Sequence, residues 1–137
     1  EFGPRALGNR SLLGDCRYNI QRKVNRIKRR QKFRPFAPAI LEEFADEYFE
    51  GKKNEYMQYV ATAKHDYKSV TNIDGTARVQ IVKKDCSSVL RPILEEWHNA
   101  TGCPMLLNTS LNIKGKPMVN CWLDALQFQQ KYNVKVF

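Results

Sequence analysis

The chain has few of the side chains from which metal sites and disulfides are built. Its 137 residues include four cysteines and two histidines, His65 and His98, and no two cysteines form a Cys-x-x-Cys pair. Structural zinc sites need clustered ligands, so no metal site is expected in this chain. The dispersed cysteines favour reduced thiols, as in most cytoplasmic proteins.

Long hydrophobic runs and targeting segments are also missing. No apolar stretch approaches the roughly 20 residues that a bilayer-spanning helix needs, and no signal-peptide pattern opens the chain. These absences predict a soluble, cytoplasmic protein with no membrane partner. The length suits a single domain over residues 1–137. Because Glu1 stands in place of an initiator methionine, and Gly3 and Arg5 resemble part of a working loop, we interpret the chain as a domain excised from a longer protein.

Acidic side chains are missing from one stretch of the sequence. Residues 16–41 contain nine lysines and arginines and no acid, whereas the whole chain has 23 basic and 14 acidic residues and a formal charge of +9. This balance favours a polyanionic partner such as a nucleotide, a phosphoester, RNA or an acidic membrane surface. Charge alone does not choose among these partners, and a solvated basic helix face is the plain alternative.

A helix is predicted inside the basic stretch by the spacing of Ile20, Val24 and Ile27. Successive helical residues turn by about 100°, so Lys28 lies beside Val24 at the edge of the buried face. We therefore expect Lys28 to be the cation that points inward. Three other basic residues of this helix are expected to point more toward water: Arg22, Arg26 and Arg29.

Arg34 stands at the end of the same stretch, directly before Pro35. Each proline pushes the residue before it toward extended geometry, so Pro35 and Pro38 end the helix and begin an extended segment. A side chain on such a fixed backbone loses little entropy on binding. Arg34 is therefore a candidate for bidentate recognition of a phosphate or carboxyl group.

The rest of the sequence predicts alternating strands and helices. The predicted elements are a loop at 2–17, a short helix at 41–48, a strand at 56–63, a turn at Asp74-Gly75, a strand at 76–82, a helix from Ser88 to Gly102 with Leu90, Ile93, Leu94 and Trp97 on one face, a strand at 105–107, a helix at 123–130 and a terminal strand through Val134 and Val136. This mixture predicts an α/β or α+β class with a twisted mixed sheet.

Small polar side chains follow the apolar strand at 105–107. They are Asn108, Thr109, Ser110 and Asn112. Such residues at the carboxyl end of a strand can line a ligand crevice, and the alternative is an ordinary Asx or Ser/Thr turn. Similarly, Arg78 is by default an ordinary strand residue after the turn at Asp74-Gly75.

Four short blocks occur in the same order as in one known family. They are residues 2–11 (FGPRALGNRS), 34–38 (RPFAP), 74–80 (DGTARVQ) and 107–112 (LNTSLN). Together they resemble the C-terminal domain of the O-carbamoyltransferases, the family of the nodulation protein U, cephamycin and tobramycin enzymes. One block alone is weak evidence, whereas four in order are specific.

The resemblance implies a YrdC-like fold, which is a twisted mixed α/β sheet with flanking helices and a basic cavity. It also implies that carbamoyl phosphate and ATP, with Mg²⁺ bridging phosphates, give carbamoyl adenylate. The carbamoyl group then passes to a hydroxyl of a small metabolite held in an N-terminal domain that this sequence lacks. The metal-binding histidines of the family belong to that other domain. Nucleic acid is not an expected partner of such an enzyme.

The resemblance further implies which residues form the site. YrdC-like sites use a Lys-x-Arg pair and a Ser-x-Asn pair, and the spacing is matched by Lys28 and Arg30 and by Ser110 and Asn112. Arg34, favoured by its fixed backbone, competes with Arg30 for the arginine role. Substrate contacts are implied for three more residues: Arg5, Arg78 and Asn108. Cations, hydroxyls and amides without a nucleophile suit a reaction in which the protein positions phosphates and neutralises charge.

Two positions depart from the family pattern. Asn72 stands where the family usually has histidine, and this puts any role of that histidine in doubt. Cys121 stands at the expected cap of the last helix, where threonine or serine is usual.

A non-catalytic module that binds RNA or a nucleotide is the alternative function. YrdC-like domains and basic helices both suit polyanions. This alternative predicts a salt-sensitive affinity for RNA and no release of pyrophosphate. It also predicts a larger contribution to binding from the exposed arginines of the first helix than from Lys28.

Overall fold

The computed structural model describes residues 7–137, so Arg5 lies outside the described residues. Within this range the chain forms seven strands, four α-helices and a 3₁₀ turn at Glu42–Phe44. In chain order the elements are β1 (Ser11–Gly14), α1 (Gln21–Ile27), β2 (Ala37–Leu41), α2 (Ala45–Tyr48), β3 (Phe49–Glu50), β4 (Ala61–Ala63), β5 (Thr76–Ala77), β6 (Gln80–Val82), α3 (Leu90–Thr101), β7 (Met105–Ser110) and α4 (Trp122–Tyr132). The predicted mixed class of strands and helices is confirmed.

The larger of the two sheets has the strand order β1-β7-β2-β6. β7 is antiparallel to both β1 and β2, whereas β2 and β6 are parallel. The smaller sheet is antiparallel, in the order β3-β4-β5. Because β7 and β2 run in opposite directions, the end of β7 lies beside the start of β2, with Asn108 opposite Ala37.

The two faces of the larger sheet pack against different elements, because side chains alternate along a strand. On one face, Leu41 of β2 packs with Leu90 and Leu94 of α3. On the other face, Ile40 of β2 packs with Val24 of α1 and with apolar residues of the smaller sheet. Burial of both faces fixes β2 and α1 relative to each other, and the segment that joins them emerges at the end of β7.

The segment that joins α1 to β2 is longer than the sequence predicts, because α1 ends early. The last helical residue is Ile27, and Arg29 takes a positive φ of 52°. The chain therefore leaves the helix well before Pro35. Residues 28–36 form a connection between α1 and β2 that we call the basic loop. A positive φ at a residue other than glycine is strained and persists only where surrounding contacts hold it.

Several strand predictions are wrong in their bounds. The loop predicted at 2–17 contains β1, whose pairing with β7 is a long-range contact. The strand predicted at 76–82 is split into β5 and β6, which belong to different sheets. Of the strand predicted at 56–63, only β4 forms, and Val134 and Val136 lie outside any strand. β7 continues through Asn108 to Ser110, so these residues extend a strand and do not form a turn.

The two long helices begin and end close to their predicted limits. In α3 the Leu90 amide donates to Ser88 Oγ at 3.2 Å, and the helix ends at Gly102 with a φ of 72°, as glycine permits. Ile93 is 43% exposed and does not join the predicted apolar face. α4 begins after Cys121, where Asp124 accepts the Cys121 amide at 3.2 Å. The Asp124 carboxylate thus forms one half of a capping box: it accepts the amide of the cap residue, whereas a threonine or serine hydroxyl at position 121 would accept the amide of residue 124.

No helix within residues 7–137 is long and apolar enough to cross a membrane. The four cysteines are free thiols. Cys16 and Cys103 are both buried, and each thiol lies 3.5 Å from the Met105 carbonyl oxygen.

Candidate functional site

The ammonium of Lys28 lies at the end of β7, where it contacts Ser110 and Asn112. Only 5% of the Lys28 surface is exposed, in agreement with its expected inward orientation. Its Nζ donates to Asn112 Oδ1 at 2.9 Å and to the Asn112 carbonyl at 3.1 Å, and also to the Ser110 carbonyl. The Ser110 hydroxyl donates to Asn112 Oδ1 at 2.7 Å. These three residues form one hydrogen-bonded cluster, which we call the Lys28 cluster.

The charge of Lys28 is not balanced by a carboxylate. Its acceptors are carbonyl and hydroxyl oxygens, and within residues 7–137 it forms no ion pair. Burial, followed by the nearby charge of Arg30, lowers the pKa of Lys28 to about 8. The ammonium has therefore lost much of its hydration without gaining a counterion. A bound anion can supply the missing compensation.

Arg30, Arg34 and Arg78 form a second group of cations. Burial, followed by the charges of Arg34 and Arg78, lowers the pKa of Arg30 to about 10. Arg34 and Arg78 are exposed. None of the three arginines makes an ion pair within the part of the chain that the structure describes. Cations gathered in this way without acids create a local potential that attracts a polyanion.

Arg30 and Arg34 differ in how firmly they are held. The Arg30 Nε donates to Asn25 Oδ1 at 2.6 Å, its Nη2 donates to the Pro35 carbonyl at 3.3 Å, and its guanidinium lies 4.2 Å from the centre of the Phe36 ring. The Arg34 side chain makes no hydrogen bond to residues 7–137. Arg34 therefore offers its whole fork to a ligand, while Arg30 is oriented by the protein and offers its remaining N–H groups.

Asn25 holds the basic loop, and the sequence analysis missed it. The side chain is fully buried. Its Nδ2 donates to the Lys32 carbonyl at 3.1 Å and to the Arg34 carbonyl at 2.8 Å, while its Oδ1 accepts from Arg30. One amide thus fixes three points of the loop. A signal was present in the sequence, because Asn25 stands three residues before Lys28 and so lies on the same side of the helix.

Asn108 is buried on β7, and its Nδ2 donates to Gln80 Oε1 of β6 at 2.7 Å. The bond crosses β2, where the intervening residues Ala37 and Ala39 are small enough to leave room. Gln80 follows Arg78 by two residues, so this bond ties the Arg78 segment to the end of β7. Contact between Asn108 and a substrate stays a prediction.

The structure thus brings Lys28, Ser110 and Asn112 into direct contact and gathers Arg30, Arg34 and Arg78 nearby. The other implied substrate contact, Arg5, lies outside the described residues. Asn72, which replaces the usual histidine of the family, donates to Thr76 Oγ1 at 2.9 Å and helps to close the turn before β5. Within residues 7–137, no three His, Cys, Asp or Glu side chains are grouped so that they could hold a metal ion.

A model of the family described as carbamoyltransferase C-terminus matches residues 1–137. The chain belongs to this family. Among curated relatives of this carbamoyltransferase C-terminal domain, nodulation protein NolNO of Sinorhizobium fredii is 40% identical over 92% of the chain. Nodulation protein U of Rhizobium tropici is 35% identical over 85% of it. The 3'-hydroxymethylcephem-O-carbamoyltransferase of Streptomyces clavuligerus is 33% identical over 93%.

This carbamoyltransferase C-terminal chain covers only a part of the length of each of those relatives. The chain spans 20% of NolNO, 21% of nodulation protein U and 25% of the cephem enzyme. Most of each relative therefore lies outside the region of similarity.

Proposed function

We propose that this domain binds ATP and activates carbamoyl phosphate to carbamoyl adenylate, as part of an O-carbamoyltransferase that acts on a hydroxyl of a small metabolite. The observation that carries the proposal is a group of cations that no described carboxylate pairs with, formed by the buried Lys28 and the arginines Arg30, Arg34 and Arg78. Family membership supports carbamoyl transfer, and one relative is named as an O-carbamoyltransferase. The acceptor site is proposed to lie in a further domain of the whole protein.

The proposed reaction needs water, carbamoyl phosphate and ATP. Water first cleaves carbamoyl phosphate into carbamate and phosphate. A carbamate oxygen then attacks the α-phosphorus of ATP, and the bond from that phosphorus to the pyrophosphate oxygen breaks. Carbamoyl adenylate and pyrophosphate are the products. Several negative charges meet in this transition state, so cations and donors that are already in place lower the barrier.

Each part of the site has a proposed role in this chemistry. Lys28 exchanges one of its three donations to Ser110 and Asn112 for a bond to a phosphate or carbamate oxygen. The hydroxyl of Ser110 and the amide of Asn112 orient the Lys28 ammonium and the ligand. Arg34 clamps phosphate oxygens with its exposed fork, while Arg30 adds a charge fixed in direction by Asn25. Arg5 is proposed as a further contact to the phosphate or carbamoyl group. Arg78 and Asn108 are proposed to contact the nucleotide.

Mg²⁺ is proposed to arrive with ATP as the counterion of its phosphates. The described residues near Lys28 offer ammonium, guanidinium, hydroxyl and amide groups, whereas Mg²⁺ is held in proteins chiefly by carboxylates. The donor set of residues 7–137 therefore does not fit a resident metal ion. We assign no step of the reaction to a metal held by this chain.

Pyrophosphate release tests the proposal. The chain is incubated with Mg-ATP in the presence or absence of carbamoyl phosphate, while ATP affinity is measured by calorimetry on the same sample. We expect saturable ATP binding, with equal amounts of phosphate and pyrophosphate released only when carbamoyl phosphate is present. ATP binding without turnover would mean that the adenylation step requires the rest of the enzyme. Binding of RNA, with no binding of ATP, would instead support the alternative function and contradict this one.

The pH dependence of ATP affinity gives a second prediction. The bound anion requires the charged form of Lys28, whose pKa is lowered to about 8 by burial. Affinity is therefore expected to be greatest below pH 8 and to fall by about tenfold between about pH 7.5 and about pH 9.5. ATP itself is fully ionised over this range. Calorimetry in buffers of different ionisation enthalpy should also show proton uptake on binding near pH 8.

A Lys28→Arg variant is the control for this pH dependence, because arginine stays charged throughout the range. Its ATP affinity should not change with pH.

The stability of the wild-type protein without ligand should rise with pH, whereas its ATP affinity falls. The pKa of Lys28 is lower in the folded than in the unfolded chain, so the penalty for its charge is relieved and the free energy of unfolding rises between pH 8 and about pH 10.4. If the ATP affinity of the wild-type protein is also constant with pH, a role of the Lys28 ammonium in binding is contradicted.

A further inference from the structure

Two buried thiols meet between the end of β1 and the start of β7. Cys16 and Cys103 are 2% and 5% exposed, and their Sγ atoms each lie 3.5 Å from the same acceptor, the carbonyl oxygen of Met105. The two thiols also hydrogen-bond to each other. Two of the four cysteines are therefore held in contact inside one apolar core, and the proposed reaction does not use them.

The pairing of β1 with β7 explains this contact. Gly14 lies opposite Leu107 in the antiparallel ladder. Continuing the same register places Cys16 opposite Met105. Cys103 precedes Met105 by two residues, so the two side chains point to the same face. The backbone therefore directs both cysteines toward one place in the core, and the contact does not depend on flexible side chains.

We propose that Cys16 and Cys103 form a site of oxidation, at which hydrogen peroxide converts the two thiols into a disulfide. The Cys103 sulfur attacks one peroxide oxygen, the O–O bond breaks, and the other oxygen leaves as water with the thiol proton. The Cys16 sulfur then attacks the Cys103 sulfenic acid, the S–S bond forms, and a second water leaves. Two electrons pass from the sulfur pair to the peroxide. This inference does not depend on the proposed function.

The order of the two steps follows from the surroundings of the sulfurs, because the thiolate is the reactive form of cysteine. Hydrogen bonding with Cys16 lowers the pKa of the Cys103 thiol against the opposing effect of burial, and the same bond raises the pKa of Cys16. Arg17 favours the Cys103 thiolate and Asp15 disfavours it, but the two form an ion pair at 2.8 Å and largely offset each other. Cys103 is also the more exposed sulfur, and peroxide is small enough to reach it.

The disulfide joins the connection that leads from β1 into α1 to the start of β7. Lys28 and Ser110 lie at the far ends of these two elements. A crosslink between segments that are distant in sequence restricts the unfolded chain and so stabilises the fold. We therefore expect the urea midpoint of unfolding to rise by about 1 M on oxidation.

A Cys86→Ser/Cys121→Ser variant isolates the pair for the test. Cys86 is only partly buried, and serine suits the cap position at 121. The folded variant is treated with hydrogen peroxide, its remaining thiols are blocked in urea, and the intact chain and its peptides are analysed by mass spectrometry. We expect a monomer that has lost two hydrogen atoms, a peptide that links Cys16 to Cys103, and a higher urea midpoint that dithiothreitol reverses.

A Cys16→Ala substitution in the same background removes the second thiol of the reaction. Alanine suits the buried apolar position, where cysteine behaves as a small hydrophobic residue. Cys103 should then gain oxygen atoms as a sulfinic acid, and peroxide should no longer raise the urea midpoint. The reciprocal Cys103→Ala variant leaves Cys16, which should react more slowly because its thiol keeps its proton. Near-UV circular dichroism shows whether both variants are folded.

The isolating variant leaves the buried pair unchanged, so the result does not depend on the alanine variants. A linked peptide from the folded chain, together with the higher urea midpoint, supports the site. If both buried thiols can still be blocked after peroxide has oxidised the exposed Cys121 of the wild-type chain, the inference fails. It fails as well if the bond forms only in urea, or if its formation leaves the urea midpoint unchanged or lower, because the folded geometry then does not favour the disulfide.

Discussion

A Lys28→Met variant is expected to lose at least about tenfold in ATP affinity and in pyrophosphate release. Methionine keeps an unbranched side chain of similar length and removes the charge. A hydrogen bond to a charged group contributes about 1.5–3 kcal/mol, and about 1.4 kcal/mol corresponds to a factor of ten. Because Lys28 is buried beside Ser110 and Asn112, solvent cannot substitute for the lost ammonium. Calorimetry and the pyrophosphate assay measure the two losses.

The matched control is Lys23→Met, which removes the same charge from an exposed position of α1. This variant should change ATP affinity by less than about twofold, since exposed charges are screened by solvent and salt. Unfolding of both variants by urea shows whether each is folded under the assay conditions. Equal losses in the two variants would mean that overall charge, and not the Lys28 cluster, attracts the nucleotide. A larger loss on removal of Arg22, Arg26 and Arg29 would favour RNA as the ligand.

An Asn25→Ala variant should have the largest effect on stability of the site changes considered. The substitution leaves two carbonyls of the basic loop and the Arg30 guanidinium without their partner. Each buried polar group that loses its partner costs about 1–3 kcal/mol. We expect the free energy of unfolding to fall by about 2–4 kcal/mol, as measured by urea denaturation. Water can reach the outer part of the loop and limits the cost.

The same variant tests whether Asn25 positions the site or only stabilises the fold. At a temperature where Asn25→Ala is fully folded, a loosened basic loop predicts that ATP affinity falls by about tenfold. Asn25→Asp keeps the acceptor for Arg30 but places a carboxylate against the Lys32 and Arg34 carbonyls, so it should also weaken ATP binding. Asn19→Ala is the control at an exposed asparagine just before α1. Full ATP affinity in folded Asn25→Ala would contradict the positioning role.

The local sequence pattern was sufficient to predict those elements that are specified by a few neighbouring residues. The apolar repeat of Ile20 and Val24 predicted α1, and the same repeat placed Lys28 inward, where the structure has it. Gly102 ends α3 because its φ of 72° is costly for other residues. The short strands were harder, since β1 and β6 are defined by partners that lie far away in the chain.

The class of the fold, the family and the residue types available at the site could all be predicted from the amino-acid sequence alone. These follow from periodicity, turn residues and short ordered motifs, all of which are local along the chain. The contact between the end of β7 and the end of α1, in contrast, depends on how the chain folds. This contact brings the Lys28 ammonium to Ser110 and Asn112, which are 82 and 84 residues away along the chain. Likewise, only packing revealed Asn25 as the anchor of the basic loop. Burial and hydrogen-bond geometry depend on which segments become neighbours, and no local pattern contains that information.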